Sequence, residues 1–217
     1  MNFEQARYNM IKQQFRPWHV SDQRTIELIT EVHREDFIPD EYKELALADT
    51  TIPLVHGQAT MAPKIEARML QCLAIQAQDK ILEVGTGCGY VTALLARLGE
   101  TVDSVDIYPE FLELARPKHE QYGLDNIRLH SGDAIRGWPD QAPYDVIAVT
   151  GSVPLLENHF QEQLTKDGRL FVVVGKPPAM EVTLIRRLGE QNWSREVVFE
   201  TDLPPLVGAP ENETFRF

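Results

Sequence analysis

From residue 80 onward the chain alternates short, nearly unbroken apolar runs with stretches of helical periodicity, the pattern of buried strands joined by helices. Ile81, Leu82 and Val84 mark a first strand, and residues 90–98 (YVTALLARL) an apolar helix after it. Further strands are predicted over 101–107, 127–133, 144–150 and 169–175. Runs this apolar fit a parallel sheet covered by helices on both faces, because a half-exposed sheet would alternate apolar and polar residues. A helix is predicted over 154–164, since Pro154 suits a first helical turn. Residues 182–188 and 195–201 read as two more strands with only the loop 189–194 between them, so a hairpin closes the sheet edge. Pro117 lies inside the helical stretch 109–122 and predicts a kink or an early stop there.

Residues 1–79 precede the first core strand and read as mostly helical, with helices over 3–15, 22–32 and 65–73. Between the last two lies a loop-rich stretch, 48–63, that leads directly into a helix at Pro63. Loops of this length in a compact domain are mostly functional or disordered, and this one is expected to cap a bound ligand. A chain of 217 residues fits one large domain. Residues 1–79 would then form a helical cap with a substrate loop, and residues 80–217 a ligand-binding α/β core with a C-terminal hairpin.

The chemistry begins at the end of the first strand. Glu83-Val-Gly85-Thr86-Gly87-Cys88-Gly89 places alternating glycines on a strand-to-helix turn, where a missing Cβ lets backbone approach a ligand. The spacing E-x-G-x-G-x-G differs from the G-x-G-x-x-G that grips a pyrophosphate, which disfavours a nicotinamide-dependent dehydrogenase. An acid at the strand tip would repel phosphate and suits an ammonium-bearing ligand such as S-adenosyl-L-methionine. Asp106 ends the second strand about 20 residues past the glycine turn, where such folds hold a ribose hydroxyl pair, with Ile107 beside it. Asp133, followed by Ala134, ends the third strand, where an adenine amino group would be read.

The 33 acidic and 21 basic residues leave a net charge of −12, which argues against a broad nucleic-acid or anionic-membrane surface. No apolar run approaches membrane-spanning length, and the opening residues MNFEQARYNMIKQQF carry acidic and amide groups where a leader needs an apolar stretch. The expected compartment is the cytosol. Two cysteines, Cys72 and Cys88, are too few for a disulfide framework or a zinc site. Cys88 is expected to be a small filler in the glycine turn.

Taken together, the elements look like the fold of the class I S-adenosylmethionine-dependent methyltransferases: α/β and Rossmann-like, with a doubly wound, seven-stranded, mostly parallel sheet. The segments Arg34-Glu-Asp-Phe-Ile-Pro39, Ala48-Asp49, Ile52-Pro53, His56-Gly57-Gln58, the Glu83 glycine turn, Gly132-Asp133, Gly137-Trp138-Pro139, Tyr144-Asp145 and Asp167-Gly168-Arg169-Leu170 narrow this further. Over nearly its full length the chain resembles the protein-L-isoaspartate O-methyltransferases. The resemblance implies a repair enzyme that methylates the stray α-carboxylate of isoaspartyl residues in damaged proteins, leaving S-adenosyl-L-homocysteine. It also implies that His56, Gly57 and Gln58 help to enclose the cofactor, beside Glu83, Gly85, Thr86, Gly87, Gly89, Asp106, Ile107, Asp133 and Ala134.

The chain departs from the family at two places. The family's loop reads G-Q-T-I-S-x-P, whereas here Gly57-Gln58-Ala59-Thr60-Met61-Ala62-Pro63 puts Met61 where the family has the serine assigned to the substrate carboxylate. A thioether cannot donate a hydrogen bond; Thr60, one residue earlier, could serve instead or could cap its own backbone. The helix N-terminus at Pro63 and Lys64 in its first turn offer further help to an anion, although Lys64 as a solvated surface lysine is the preferred reading. The family's R-[YF]-V-P-L tail becomes Asp202-Leu203-Pro204-Pro205-Leu206. Two alternatives therefore stand beside repair: a methyltransferase with another acceptor, and a non-catalytic cofactor-binding protein.

Overall fold

The computed structural model of the chain describes residues 1–210. Seven strands form one sheet in the order β3-β2-β1-β4-β5-β6-β7: β1 (Lys80–Val84), β2 (Thr101–Asp106), β3 (Ile127–Ser131), β4 (Tyr144–Val153), β5 (Leu164–Lys176), β6 (Ala179–Gly189) and β7 (Asn192–Thr201). The first five run parallel, and β6 and β7 join antiparallel at one edge. The expected mostly parallel seven-stranded sheet is therefore the fold observed.

Among the described residues six α-helices accompany the sheet: α1 (Phe3–Met10), α2 (Gln23–Glu31), α3 (Pro63–Leu73), α4 (Tyr90–Leu98), α5 (Pro109–Gln121) and α6 (His159–Glu162). Local chemistry fixes their ends. Asp22 caps α2 by accepting from the Thr25 amide and hydroxyl at 2.9 and 2.6 Å. Pro63 opens α3, and Ala74 closes it in the left-handed conformation. Helix α1 runs on as a π-helical turn to Phe15, completing the helix predicted over 3–15.

Each face of the sheet carries its own core. On one, Ile81, Val102, Phe171 and Val173 pack against Met69, Leu70, Leu94 and Leu95 of α3 and α4, and against Met10 and Phe15 beyond them. On the other, Leu82, Val84, Ile147, Val149, Leu170 and Val172 meet Phe160 and the 132–143 connection. The alternation of β1 follows from strand geometry, which sends successive side chains to opposite faces.

Four sequence expectations are corrected. Over 154–164 only the single turn α6 is helical. Strand β4 runs on to Val153, because Ser152 N–H and C=O bond the incoming Pro204–Leu206 segment at 2.9 and 2.8 Å. Trp138 and Ile135 occupy the sheet face that a longer helix would have covered. Pro117 neither stops α5 nor shortens it, since Phe111, Leu112, Ala115 and His119 anchor the helix on both sides of the missing amide. The β6–β7 hairpin is also tighter than the 189–194 loop, with Gly189 paired to Asn192.

Candidate active site

A cleft of about 680 Å³ opens where β1, β2 and β4 end at their carboxyl edges. The strand order reverses direction at β1, and open α/β sheets bind ligands beside such a switch point. Gly85, Gly87, Asp106, Ile107, Asp133 and Ala134 line it, together with Gln58 of the cap loop.

The glycine turn is shaped by contact. Gly85 has φ of +98°, and a Cβ there would lie 2.4 Å from Thr150 Oγ1, so this position excludes a side chain twice over. Thr150 in turn donates its hydroxyl to the Val84 and Gly85 carbonyls at 2.9 and 2.7 Å, which pins the start of the turn to β4. The Gly87 amide points at Asp106 Oδ2 (3.0 Å), while Asp106 Oδ1 accepts from Tyr108 N–H at 3.0 Å. Desolvation raises the Asp106 carboxyl above its ordinary range, partly offset by the amides of Gly87, Tyr108, Thr86 and Ile107. Asp133 Oδ1 accepts from Ile135 N–H at 2.9 Å, which leaves the Ala134 backbone on the cleft wall.

Glu83 does not stand where the sequence reading puts it. Its side chain shares the Ile81 face of β1, fully buried, and accepts from the hydroxyls of Thr92 (2.5 Å) and Ser104 (2.6 Å). Burial pushes its carboxyl up to about 8, against those two hydrogen bonds, so at neutral pH it is mainly a neutral acid. A neutral acid behind the turn is no counter-ion for an ammonium group. Thr86 joins the same chain through Ser104 Oγ at 2.6 Å and so braces the turn from behind. Gly89 caps α4 against Ala115 and His119, also away from the cleft wall.

The cap loop lies across the cleft. Pro53 bridges to Ala59, and Leu54 and Gln58 are hydrogen-bonded at 2.8 Å, so 53–59 is a small ordered hairpin. His56, at φ +58°, does not touch the cleft but stacks on Tyr108 with ring centroids 4.1 Å apart and planes 7° from parallel. Gly57 turns the chain beside it and lines nothing.

A second pocket opens off the cleft, sharing Leu54, Ala59, Gly85, Gly87 and Thr150 with it. Thr60, Met61, Glu66, Thr86, Cys88 and Val91 form its remaining wall. Beneath it Arg34 and Glu66 make a buried two-pronged ion pair, Nε–Oε2 2.9 Å and Nη2–Oε1 3.1 Å. Arg34 also bonds Ala46 O (2.6 Å), Met61 O (2.8 Å) and Thr60 Oγ1 (3.0 Å). Lys64 is absent from this wall: it pairs with Asp49 at 2.8 Å and lies 4.2 Å over the Trp18 ring. The Ile65 and Glu66 amides at the start of α3 bond within the chain, to Ala62 O. Cys72 and Cys88 are free thiols, and burial raises both.

Several wall residues escape sequence reasoning. Thr150 looks like any strand threonine, and Tyr108 like any residue before a helix. Pro204–Val207 line the far wall because Ser152 recruits the tail as an extra bridge to β4. Glu66 carries no motif signal, since its partner Arg34 is 32 positions away.

The family model for protein-L-isoaspartate(D-aspartate) O-methyltransferase (PCMT) matches residues 5–210. The protein-L-isoaspartate O-methyltransferase 2 of Pelobacter propionicus is 35% identical over 209 residues, 96% of this chain and 93% of that protein. A protein-L-isoaspartate O-methyltransferase of Myxococcus xanthus is 39% identical over 156 residues, 72% of this chain and 74% of its own. Among solved structures, a protein-L-isoaspartate O-methyltransferase beta-aspartate methyltransferase from Plasmodium falciparum, in complex with S-adenosyl-L-homocysteine, has a TM-score of 0.80 at 16% identity and covers 95% of this chain and 98% of that one. That last likeness concerns the fold alone.

Proposed function

The chain belongs to the protein-L-isoaspartate(D-aspartate) O-methyltransferase family, and from that premise we propose that it methylates the α-carboxylate of isoaspartyl residues in damaged proteins, with S-adenosyl-L-methionine as donor. The observation that carries this reading is the pair of joined cavities. One is a glycine-floored cleft with a carboxylate at its β2 end; the other is a small, largely apolar pocket meeting it at the glycine turn.

The residues fit the cofactor. The cleft wall joins the glycine-turn backbone, carboxylates and apolar side chains, the mixture that a nucleoside carrying an amino-acid tail requires. Asp106, its two oxygens oriented by the Gly87 and Tyr108 amides, presents a carboxylate on the cleft wall for a ribose hydroxyl pair. Ala134 and Asp133 offer backbone and carboxylate for a base edge, and the Gly85–Gly87 backbone a floor that a side chain would fill. Gln58 and Leu54 cover the cleft from the cap. Glu83, Thr86 and Gly89 hold the turn in shape, and His56 and Gly57 hold the cap; none of these five lines the cleft.

When bound, the cofactor supplies a methyl group on positively charged sulfur. The acceptor carboxylate is ionised at neutral pH, so no general base is required. The protein's work is to hold that carboxylate in line and away from water. Leu54, Met61 and Val91 exclude water from the second pocket. On this reading residues 1–79 are the cap and substrate side, and 80–217 the cofactor core; 211–217 lie outside the described residues. A cytosolic location is supported by the two free thiols, and no helix among the described residues is long and apolar enough to cross a membrane.

The test is transfer of a labelled methyl group to an isoaspartyl peptide beside its aspartyl twin. Selective labelling of the isoaspartyl form is expected. Binding of S-adenosyl-L-homocysteine with no labelling of either peptide would remove repair as the function.

A further inference from the structure

Thr60 carries a proton with nowhere to go. A hydroxyl has one hydrogen and two lone pairs. Both lone pairs of Thr60 Oγ1 are taken, one by Arg34 Nη2 at 3.0 Å and the other by the Ile52 amide at 3.0 Å. Among the described residues nothing accepts from Thr60, although the residue is buried at 7% exposure in the wall of the second pocket. Buried polar groups as a rule have partners, so the missing acceptor is to be sought in whatever occupies the pocket.

The surroundings define that acceptor. The other hydroxyls on the pocket wall are engaged: Thr86 with Ser104 at 2.6 Å, and Thr150 with the Val84 and Gly85 carbonyls. Met61 has no proton to give, and the Cys88 thiol is a weak donor. Every nitrogen of Arg34 already has a partner, and both oxygens of Glu66 face that guanidinium. Arg34 is buried and lines neither pocket, so the pair is not a carboxylate site itself. Its effect on Thr60 is indirect, because a hydroxyl that accepts from a cation donates more strongly.

We propose that Thr60 Oγ1–H is the hydrogen-bond donor that holds the substrate carboxylate in the second pocket, with Arg34 and Glu66 as positioning residues that keep this proton directed inward. This rests on the carboxyl methyltransferase reading. A single donor suits the reaction: one carboxylate oxygen is held by Thr60, and the other stays unbonded and nucleophilic toward the glycine turn. The threonine thereby supplies what Met61 cannot.

The experiment measures KM and kcat for an isoaspartyl peptide, and Kd for S-adenosyl-L-homocysteine, in the native chain, Thr60→Val, Thr60→Ser and the double variant Thr60→Val/Met61→Ser. Thr60→Val is expected to raise KM about 10- to 100-fold, the range for one hydrogen bond to a charged group, with the Kd within about twofold. Thr60→Ser is expected to stay within about threefold of native, and Met61→Ser to recover most of the loss in the Thr60→Val background. A Thr60→Val enzyme with native KM, a serine at 60 as poor as valine, or no recovery in the double variant would each overturn the assignment. A native chain that binds S-adenosyl-L-homocysteine but labels no isoaspartyl peptide would instead overturn the functional reading, and the assignment with it.

Discussion

Gly85 and Thr150 are in such close register that a methyl group on the glycine would lie 2.4 Å from the threonine hydroxyl oxygen. The same hydroxyl is bonded back to the Gly85 carbonyl, so the contact is both a spacer and a clamp. Gly85→Ala is expected to weaken S-adenosyl-L-homocysteine binding by at least about tenfold, from the clash together with a backbone strain of ~1–2 kcal/mol at positive φ. Adding Thr150→Ala removes the clashing oxygen and should restore part of the affinity, leaving the strain. Calorimetric titration of both variants measures this, and an additive double variant would show that the contact is not the cause.

Glu83 makes stability depend on pH. Its carboxyl titrates at about 8 in the folded chain against an ordinary value of 4.5, so between these the folded state holds the extra proton. Stability is then greatest at the acidic end of that window and falls as pH rises, by up to ~1.4 kcal/mol per unit. Glu83→Gln is neutral throughout and still offers a carbonyl to Thr92 and Ser104. Its melting temperature should decline less than the native one between pH 5 and 8; parallel curves would mean that Glu83 folds ionised.

Asp106 carries the charged end of the cleft. Asp106→Ala removes the carboxylate that accepts from the turn amides and from the expected ribose hydroxyls, and S-adenosyl-L-homocysteine affinity should fall about 10- to 100-fold. Deoxyadenosine-type analogues lacking the ribose 2′-hydroxyl should lose less affinity in this variant than in the native chain. Equal losses in both would place the ribose elsewhere.

His56 latches the cap. Its stack on Tyr108, reinforced by an edge-on contact to Phe111 at 6.0 Å, ties the loop to two wall residues at the start of α5, although His56 itself does not line the cleft. An aromatic pair of this kind contributes ~0.5–1.5 kcal/mol. His56→Ala should therefore speed S-adenosyl-L-homocysteine release by about 2- to 10-fold, with little change in association, as read by stopped-flow. An unchanged release rate would mean that the cap does not limit escape.

Much of this was legible from residue order. The apolar runs of β1, β2, β4 and β5 and the glycine turn at 85–89 depend on neighbours close in sequence, where periodicity and conformational preference act directly. Asp106 could be placed because it ends β2 and Asp133 because it follows β3 by two residues, and strand ends of a parallel sheet converge on one edge. The helix expected over 154–164 failed because its fate depended on Trp138, Ile135 and the returning 204–206 segment competing for the same face. Residue spacing carries no record of such competition.

The sequence alone determined the parallel α/β core, the position of the glycine turn, the acids around it and the family, because these rest on local patterning and on motifs read in order. Only the tertiary structure decided the direction in which the polar groups face. Glu83 turned inward to Thr92 and Ser104, where burial raises its carboxyl; Arg34 and Glu66, 32 positions apart, closed on each other; and Thr60 came to accept from Arg34 and the Ile52 amide in the wall of a pocket. The physical reason is that a hydrogen-bonding group takes its role from whichever partners surround it in space, and burial makes an unfilled valence costly enough to matter.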